Sequence, residues 1–313
     1  MLLLEAGSIR AVVLPALGGR LISLRHGERE FLWHDRRLLD EAFRPRVPVV
    51  PAPPGAPMAA WQNWGGDKSW PAPQATGEHD DGWHGPPDPV LDGGPYRVVD
   101  RVVDRAGRTA VELRSGTDPR TGLEQTRAIE VHDGGVRVTT TITNRSEAAV
   151  RHAPWEVMQV AVSAEDEAGG SVEVERDAGP AVADLGRYWG SPTVTEHGRT
   201  TEVRLGGAVA KLGFPGATGR VRCRFADGAT LGLAFAASPD APAGAPFQLW
   251  IQTPLDHAPA GLGGWQPADR LVELEPLGAL RDLAPGGSAS LVADWTPRSA
   301  RATSGGSRSA PRS

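Results

Sequence analysis

The sequence predicts an all-β protein, and three observations carry that reading. Short runs rich in Val, Ile, Leu and Thr recur along nearly the whole chain, each closed by Gly, Pro, Asn or Asp. Glycine (39 residues) and proline (28) exceed ordinary usage, as many turns between short strands require. No segment keeps a 3.6-residue apolar period for the length of a stable helix. At 313 residues, 40% hydrophobic and 23% charged, the chain has ample material for a core. The number of strands exceeds an immunoglobulin-type sandwich. One large two-sheet antiparallel sandwich over residues 1–297 is expected, with an insertion at about 35–96 and a tail at 298–313.

Taken in order, LLLEAG, SIRAVVLP, RLISLRHG and REFLWH read as opening strands. The turn PALGGR carries paired glycines, which reach φ > 0 without a Cβ clash. DRRLLDEAFR has room for one or two helical turns, and RVPVVPAPPGAPM is Pro-rich and extended. The stretch from Trp61 to Tyr96 shows neither helix nor strand period. It gathers four of the ten tryptophans, one of the few lysines and six acidic residues among Gly and Pro. Its aromatic content argues against disorder, and long ordered loops commonly carry function. Indole faces beside carboxylates, amides and a cation suit a flat, hydroxylated ligand; the plainer reading is a loop that covers the end of the core. Alternation resumes from Tyr96 to Val162, where VHDGGV and TNRSEA are hairpin turns. It continues over 171–237 and through FQLWIQTP, DRLVELEPLG and SASLVADWTP. The end, RSARATSGGSRSAPRS, is low-complexity and basic, and disorder is expected there.

A net charge of −5 and a pI near 5.9 give no reason to expect nucleic acid or an anionic membrane as partner. Cys223 is the one cysteine, which excludes an internal disulfide, and its VRCRF context suits a buried strand thiol. The N-terminus has an early acid at Glu5 and too short an apolar run for a signal peptide, so a cytoplasmic location is expected. HDDGWH (His79 to His84) holds metal-ligand types at close range, but no HExxH or cysteine pair accompanies it. No metal and no cofactor are expected. Walker, GxGxxG and GxSxG patterns are absent, which removes nucleotide-dependent chemistry and serine hydrolysis.

LPALGGRLISLRHGEREFLW near the start and LVELEPLGALRDLAPGGSASLVADW near the end resemble, in that order, the opening and closing signatures of aldose 1-epimerase-like (galactose mutarotase-like) proteins. NWGGDKSWPAPQ and DPVLDGGPY look more like an uncharacterised branch of that superfamily than like the sugar epimerases themselves. The resemblance spans roughly residues 1–297. It implies a β-supersandwich, a small-molecule sugar or sugar derivative as partner, and anomer interconversion by a base and an acid. Glu275 matches the Glu of the late Glu-Pro strand and would be the base. Glu273, two residues earlier and on the same strand face, is the alternative. His152 would be the acid, although epimerases place an aromatic directly after that histidine, and here Ala153 and Pro154 precede Trp155. If His152 points away, Glu156 or a loop residue would have to serve. His84 is the candidate second histidine. Asn63, Asp67, Lys68, Trp70 and Trp155, with Arg20 after the Gly-Gly turn, would bind the sugar, Lys68 equally suiting a ligand phosphate or carboxylate. Against the enzyme stands a non-catalytic carbohydrate-binding or sensing domain on the same fold, and more remotely a polymer-degrading hydrolase or lyase.

Overall fold

The computed structural model describes residues 1–53, 56–73, 86–103, 108–177 and 179–300. The chain opens with β1 (Leu2–Ala6), β2 (Ile9–Leu14), β3 (Arg20–His26) and the two-residue β4 (Arg29–Glu30). Then come β5 (Asp67–Ala72), β6 (Arg97–Val103), β7 (Thr109–Thr117), β8 (Leu123–His132), β9 (Gly135–Asn144) and β10 (Val150–Ala161). One short helix, α1 (Ala164–Gly169), is closed at its start by a capping box between Ser163 and Asp166. After it run β11 (Ser171–Arg176), β12 (Ala183–Gly190), β13 (Val194–His197), β14 (Thr200–Arg204), β15 (Ala208–Gly213), β16 (Ala217–Arg224) and β17 (Thr230–Phe235). The last strands are β18 (Phe247–Gln252), β19 (Leu271–Pro276), β20 (Arg281–Leu283) and β21 (Ser288–Arg298).

These strands form two antiparallel sheets, as the strand pattern predicts. The first has the order β1-β2-β3-β5-β10-β19-β18-β15-β12, with β4 on β3 and β20 on β10. The second has the order β13-β14-β11-β16-β17-β21-β9-β8-β7-β6. Period-2 alternation decides which side chains fill the space between them. Met158, Val160, Val272, Leu274, Leu249 and Ile251 of the first sheet meet Val131, Val138, Val172, Leu231 and Trp295 of the second in one apolar core. Cys223 lies in that core on β16, where burial pushes its thiol up.

The stretch around Trp61–Tyr96 departs from expectation in one respect. β5 runs through it as a central strand between β3 and β10, pairing Trp70 with Trp155 and Lys68 with Val157. All six of its residues are buried, so it shows no polar-apolar alternation to read. DRRLLDEAFR forms turns, not a helix. The Gly-Gly turn is held in the left-handed region, at φ 65° for Gly18 and 56° for Gly19. A Cβ would strike the Asp92 carbonyl at the first and the Tyr96 ring at the second, so this turn packs on the end of the same Trp-rich stretch. Among the described residues no helix is long and apolar enough to cross a membrane. The low-complexity residues 301–313 and the HDDGWH segment, His84 included, lie outside the described residues.

Candidate active site on the outer face of the first sheet

Once Met158, Val160, Val272 and Leu274 point into the core, their strand neighbours must point the other way. On that outer face β19 presents Leu271, Glu273, Glu275 and, just past its end, Leu277; β10 presents Trp155, Val157 and Gln159. β5 presents Lys68 and Trp70, β18 presents Trp250, and β15 presents Val209 and Lys211. Their backbone pairings place them in rows: Lys68 beside Val157, Gln159 beside Glu273, Glu273 beside Trp250, and Trp250 beside Lys211. Two small apolar clusters flank the glutamates. One holds Trp70, Trp155, Val157 and Leu277 with Trp61 against it; the other holds Val209, Trp250 and Leu271 with Tyr188 and Trp265. A narrow cavity of about 20 Å³ lies over Glu273, walled by Trp61, Asn63, Trp250, Leu262 and Trp265.

Glu275 is fully buried. Its Oε2 accepts from Trp155 Nε1 at 2.8 Å and from Lys211 Nζ at 2.5 Å, and the same ammonium lies 4.4 Å from the Trp155 ring centroid. Burial pushes the Glu275 carboxyl up to about 7; Lys211 opposes that shift and Glu273 adds to it. Glu273 accepts from Gln159 Nε2 at 2.6 Å and pairs with Lys68 Nζ at 3.6 Å. Lys68 is 1% exposed, with its ammonium 4.8 Å from the Trp70 ring centroid and 5.7 Å from that of Trp61. Burial lowers its proton affinity, while Glu273 raises it. Among the described residues, Lys68 Nζ, Glu275 Oε1, Gln159 Oε1 and Asn63 Oδ1 are buried without a hydrogen-bond partner. Native interiors leave few such groups, and four on one face provide three acceptors and one donor for something that binds there.

The residues singled out in the sequence divide between this face and its supports. Glu275, Glu273, Lys68, Trp70 and Trp155 come together on it, with Asn63 at the cavity. His152 does not. It lies three residues before Trp155 on β10, so alternation turns it to the opposite side, where it is hydrogen-bonded to the backbone of Ala72 near Asp118 and Arg120. Glu156 also points inward, where it pairs with Arg127. Asp67 points inward as well and pairs with Arg127 of β8 at 2.9 Å. Arg20 does not reach the ligand side. It is fully buried and donates to the Leu17, Gly65 and Asp92 carbonyls and to Asp92 Oδ1. Asp92 in turn accepts from Trp61 Nε1 at 2.9 Å and Trp70 Nε1 at 3.0 Å, so Arg20 fixes the tryptophans from behind.

Sequence reasoning passed over Lys211, Gln159, Trp250, Trp265 and Asp92. For Lys211 a signal exists: the chain has two lysines against thirty-one arginines, and both lysines lie on this face. Among the described residues no group of three or more His, Cys, Asp or Glu side chains is placed to hold a metal ion.

No family model and no curated protein matches the sequence. Solved structures do match it along its length. A galactose mutarotase-like protein from Lactobacillus casei is 15% identical, with 95% of this chain and 100% of that one covered at a TM-score of 0.57. A galactose mutarotase-like protein from Clostridium acetobutylicum is 13% identical over 95% and 94%, with a TM-score of 0.56. A galactose mutarotase related enzyme from Lactobacillus acidophilus is 9% identical over 96% and 97%, with a TM-score of 0.53. The two-sheet sandwich of this chain is therefore the galactose mutarotase-like fold.

Proposed function

We propose that this is a cytoplasmic carbohydrate-active protein of the aldose 1-epimerase type, which interconverts the anomers of an aldose with Glu275 as the base. The observation that carries the reading is the state of Glu275. One oxygen is held by Lys211 and Trp155, the other has no hydrogen-bond partner among the described residues, and the carboxyl is poised at about 7. A base tuned near neutrality is what removal of an anomeric hydroxyl proton demands. The indoles around it suit the C–H face of a pyranose, and Gln159 and Asn63 offer acceptors to its hydroxyls. The Trp61 and Trp265 rings, whose centroids lie 6.5 Å apart, wall the cavity over Glu273 where a sugar would enter. The reaction needs proton transfers alone, and the chain's own side chains suffice for the base.

The test is saturation transfer between anomeric protons across a panel of free and phosphorylated aldoses. Faster exchange for one sugar is expected, reduced about 10²–10⁴-fold by Glu275→Gln with sugar binding retained. Unchanged turnover in that variant would remove Glu275 from the mechanism. One observation favours a second reading, a non-catalytic sugar-binding domain: among the described residues no histidine faces Glu275. Line broadening for one sugar without exchange would decide for it.

A further inference from the structure

An epimerase that has a base also needs an acid for the ring oxygen, and His152 is on the wrong side of its strand to be that acid. We infer that Lys68 is the general acid of this site, giving a proton from Nζ to the ring oxygen as the sugar opens. This inference rests on the epimerase reading above. It stands first on register. β10 pairs Val157 with Lys68 on one side, and its pairing of Met158 with Leu274 sets Val157 beside Glu275 on the other. Lys68, Val157 and Glu275 therefore form one row across three strands, all on the outer face. Two interstrand spacings separate the outer backbones by roughly 10 Å. Val157, buried against Trp70 and Trp155, stands on the middle strand between the carboxylate and the ammonium. A pyranose lying over Val157 would present its anomeric hydroxyl to one and its ring oxygen to the other.

The second support is the condition of the ammonium itself. Lys68 is almost fully buried, lies over the Trp70 and Trp61 rings, and among the described residues forms one ion pair, with Glu273 at 3.6 Å. Its donor finds no hydrogen-bond acceptor among the described residues. A buried donor left unpaired is costly, and a bound acceptor on the ligand would relieve that cost. The charged groups around it are Glu273 and Glu275 from β19, Arg20 from β3, and Asp92 from the turn before β6. Lys211 is a poorer acid, since it already donates to Glu275 Oε2 and so holds the base.

Residue usage gives the third support. The chain meets its need for positive charge with thirty-one arginines and keeps its two lysines for this face. A guanidinium holds its proton under all working conditions, whereas a buried ammonium can release one. The step balances. Glu275 Oε1 takes the proton of the anomeric hydroxyl, and the C1–O1 bond becomes a carbonyl. The C1–ring-oxygen bond breaks, and its electron pair takes the proton from Lys68 Nζ. Rotation about C1–C2 and reclosure reverse the transfers and yield the other anomer.

The test compares the unmutated protein with Lys68→Met and Lys68→Arg, using the aldose whose anomers it exchanges. Both variants should lose about 10²–10⁴-fold in kcat while sugar binding, read by line broadening, changes only a few-fold. The alkaline fall of kcat in the unmutated protein should also be missing from Lys68→Met. Lys68→Arg keeps a cation beside Glu273, so it preserves the fold if the methionine variant does not. A folded Lys68→Arg that turns over at the unmutated rate would overturn the inference, as would an unmutated protein with no alkaline limb. If the unmutated protein exchanges no sugar, the epimerase reading falls and this role falls with it. If it exchanges and only the lysine variants are silent in effect, the reading stands and the acid is another group.

Discussion

Glu275 illustrates how one carboxyl is set by what touches it. Burial disfavours its charge, Lys211 restores part of that charge, and the outcome is a group that titrates at about 7. Two consequences of opposite sense follow. As a base, Glu275 works only when deprotonated, so kcat/KM for anomer exchange should rise with pH and level off above about 7; a profile flat through that region would exclude it as base. For stability the sign reverses. The folded carboxyl binds its proton more tightly than the unfolded one, so its contribution is fully present below the ordinary carboxylate range and is lost as pH rises through about 7. Glu275→Gln should therefore flatten the pH dependence of denaturant stability between about pH 4.5 and 7, and an unchanged slope would assign that dependence to other groups. The Glu-x-Glu-Pro run made both glutamates legible in the sequence, since residues two apart share a strand face. The same counting turns His152 away from Trp155, three residues on. Lys211 was less visible, because VAKLGF reads as an ordinary strand and its partner Glu275 is 64 residues distant.

The strand that matters most to the site is β5, and it was the least legible. Its sequence, DKSWPA, carries no alternation because both of its faces are buried, one by core and one by the tryptophan cluster. Its inward side is tied down by Arg127, which crosses from β8 to the Asp67 carboxylate and carbonyl, the Gly19 carbonyl and Glu156. Glu156 also accepts from Ser69 at 2.5 Å and Thr140 at 2.6 Å, so one ionic knot joins β5, β10 and both sheets directly behind Lys68 and Trp155. Burial, and next Glu156, push Asp67 well above the usual carboxylate range against the pull of Arg127. Removing one member of a buried ionic group strands the others. Arg127→Met should cost about 3–5 kcal/mol in denaturant unfolding. Adding Asp67→Asn and Glu156→Gln to it should recover much of that loss. A single variant within 1 kcal/mol of the unmutated protein, a roughly neutral surface-like change, would mean the knot does not hold β5. None of these partnerships is readable from sequence, because their members lie 16 to 108 residues apart.

The two sheets have no separate interiors. Side chains of β10, β18 and β19 interlock with those of β8, β16, β17 and β21 in one core, so neither sheet buries its apolar face alone. That much was legible, because alternation over successive runs fixes which residues point inward wherever one face of a strand is wet. The order of the opening and closing motifs also indicated the fold that the solved structures share with this chain. What pattern could not supply was the assembly of the site, since β5, β10, β15, β18 and β19 come from segments far apart in the chain. Each site strand is also a wall of the common core: Glu273 and Glu275 face outward only while Val272 and Leu274 are packed inward. The site should therefore vanish together with the sheets. In a denaturant titration, sugar binding, tryptophan emission and the far-ultraviolet β signal should fall along one curve with one midpoint. Loss of binding at a clearly lower denaturant concentration than loss of β signal would show that the outer face melts on its own, with the loops carrying Trp61 and Trp265, and that the core does not hold the site in place.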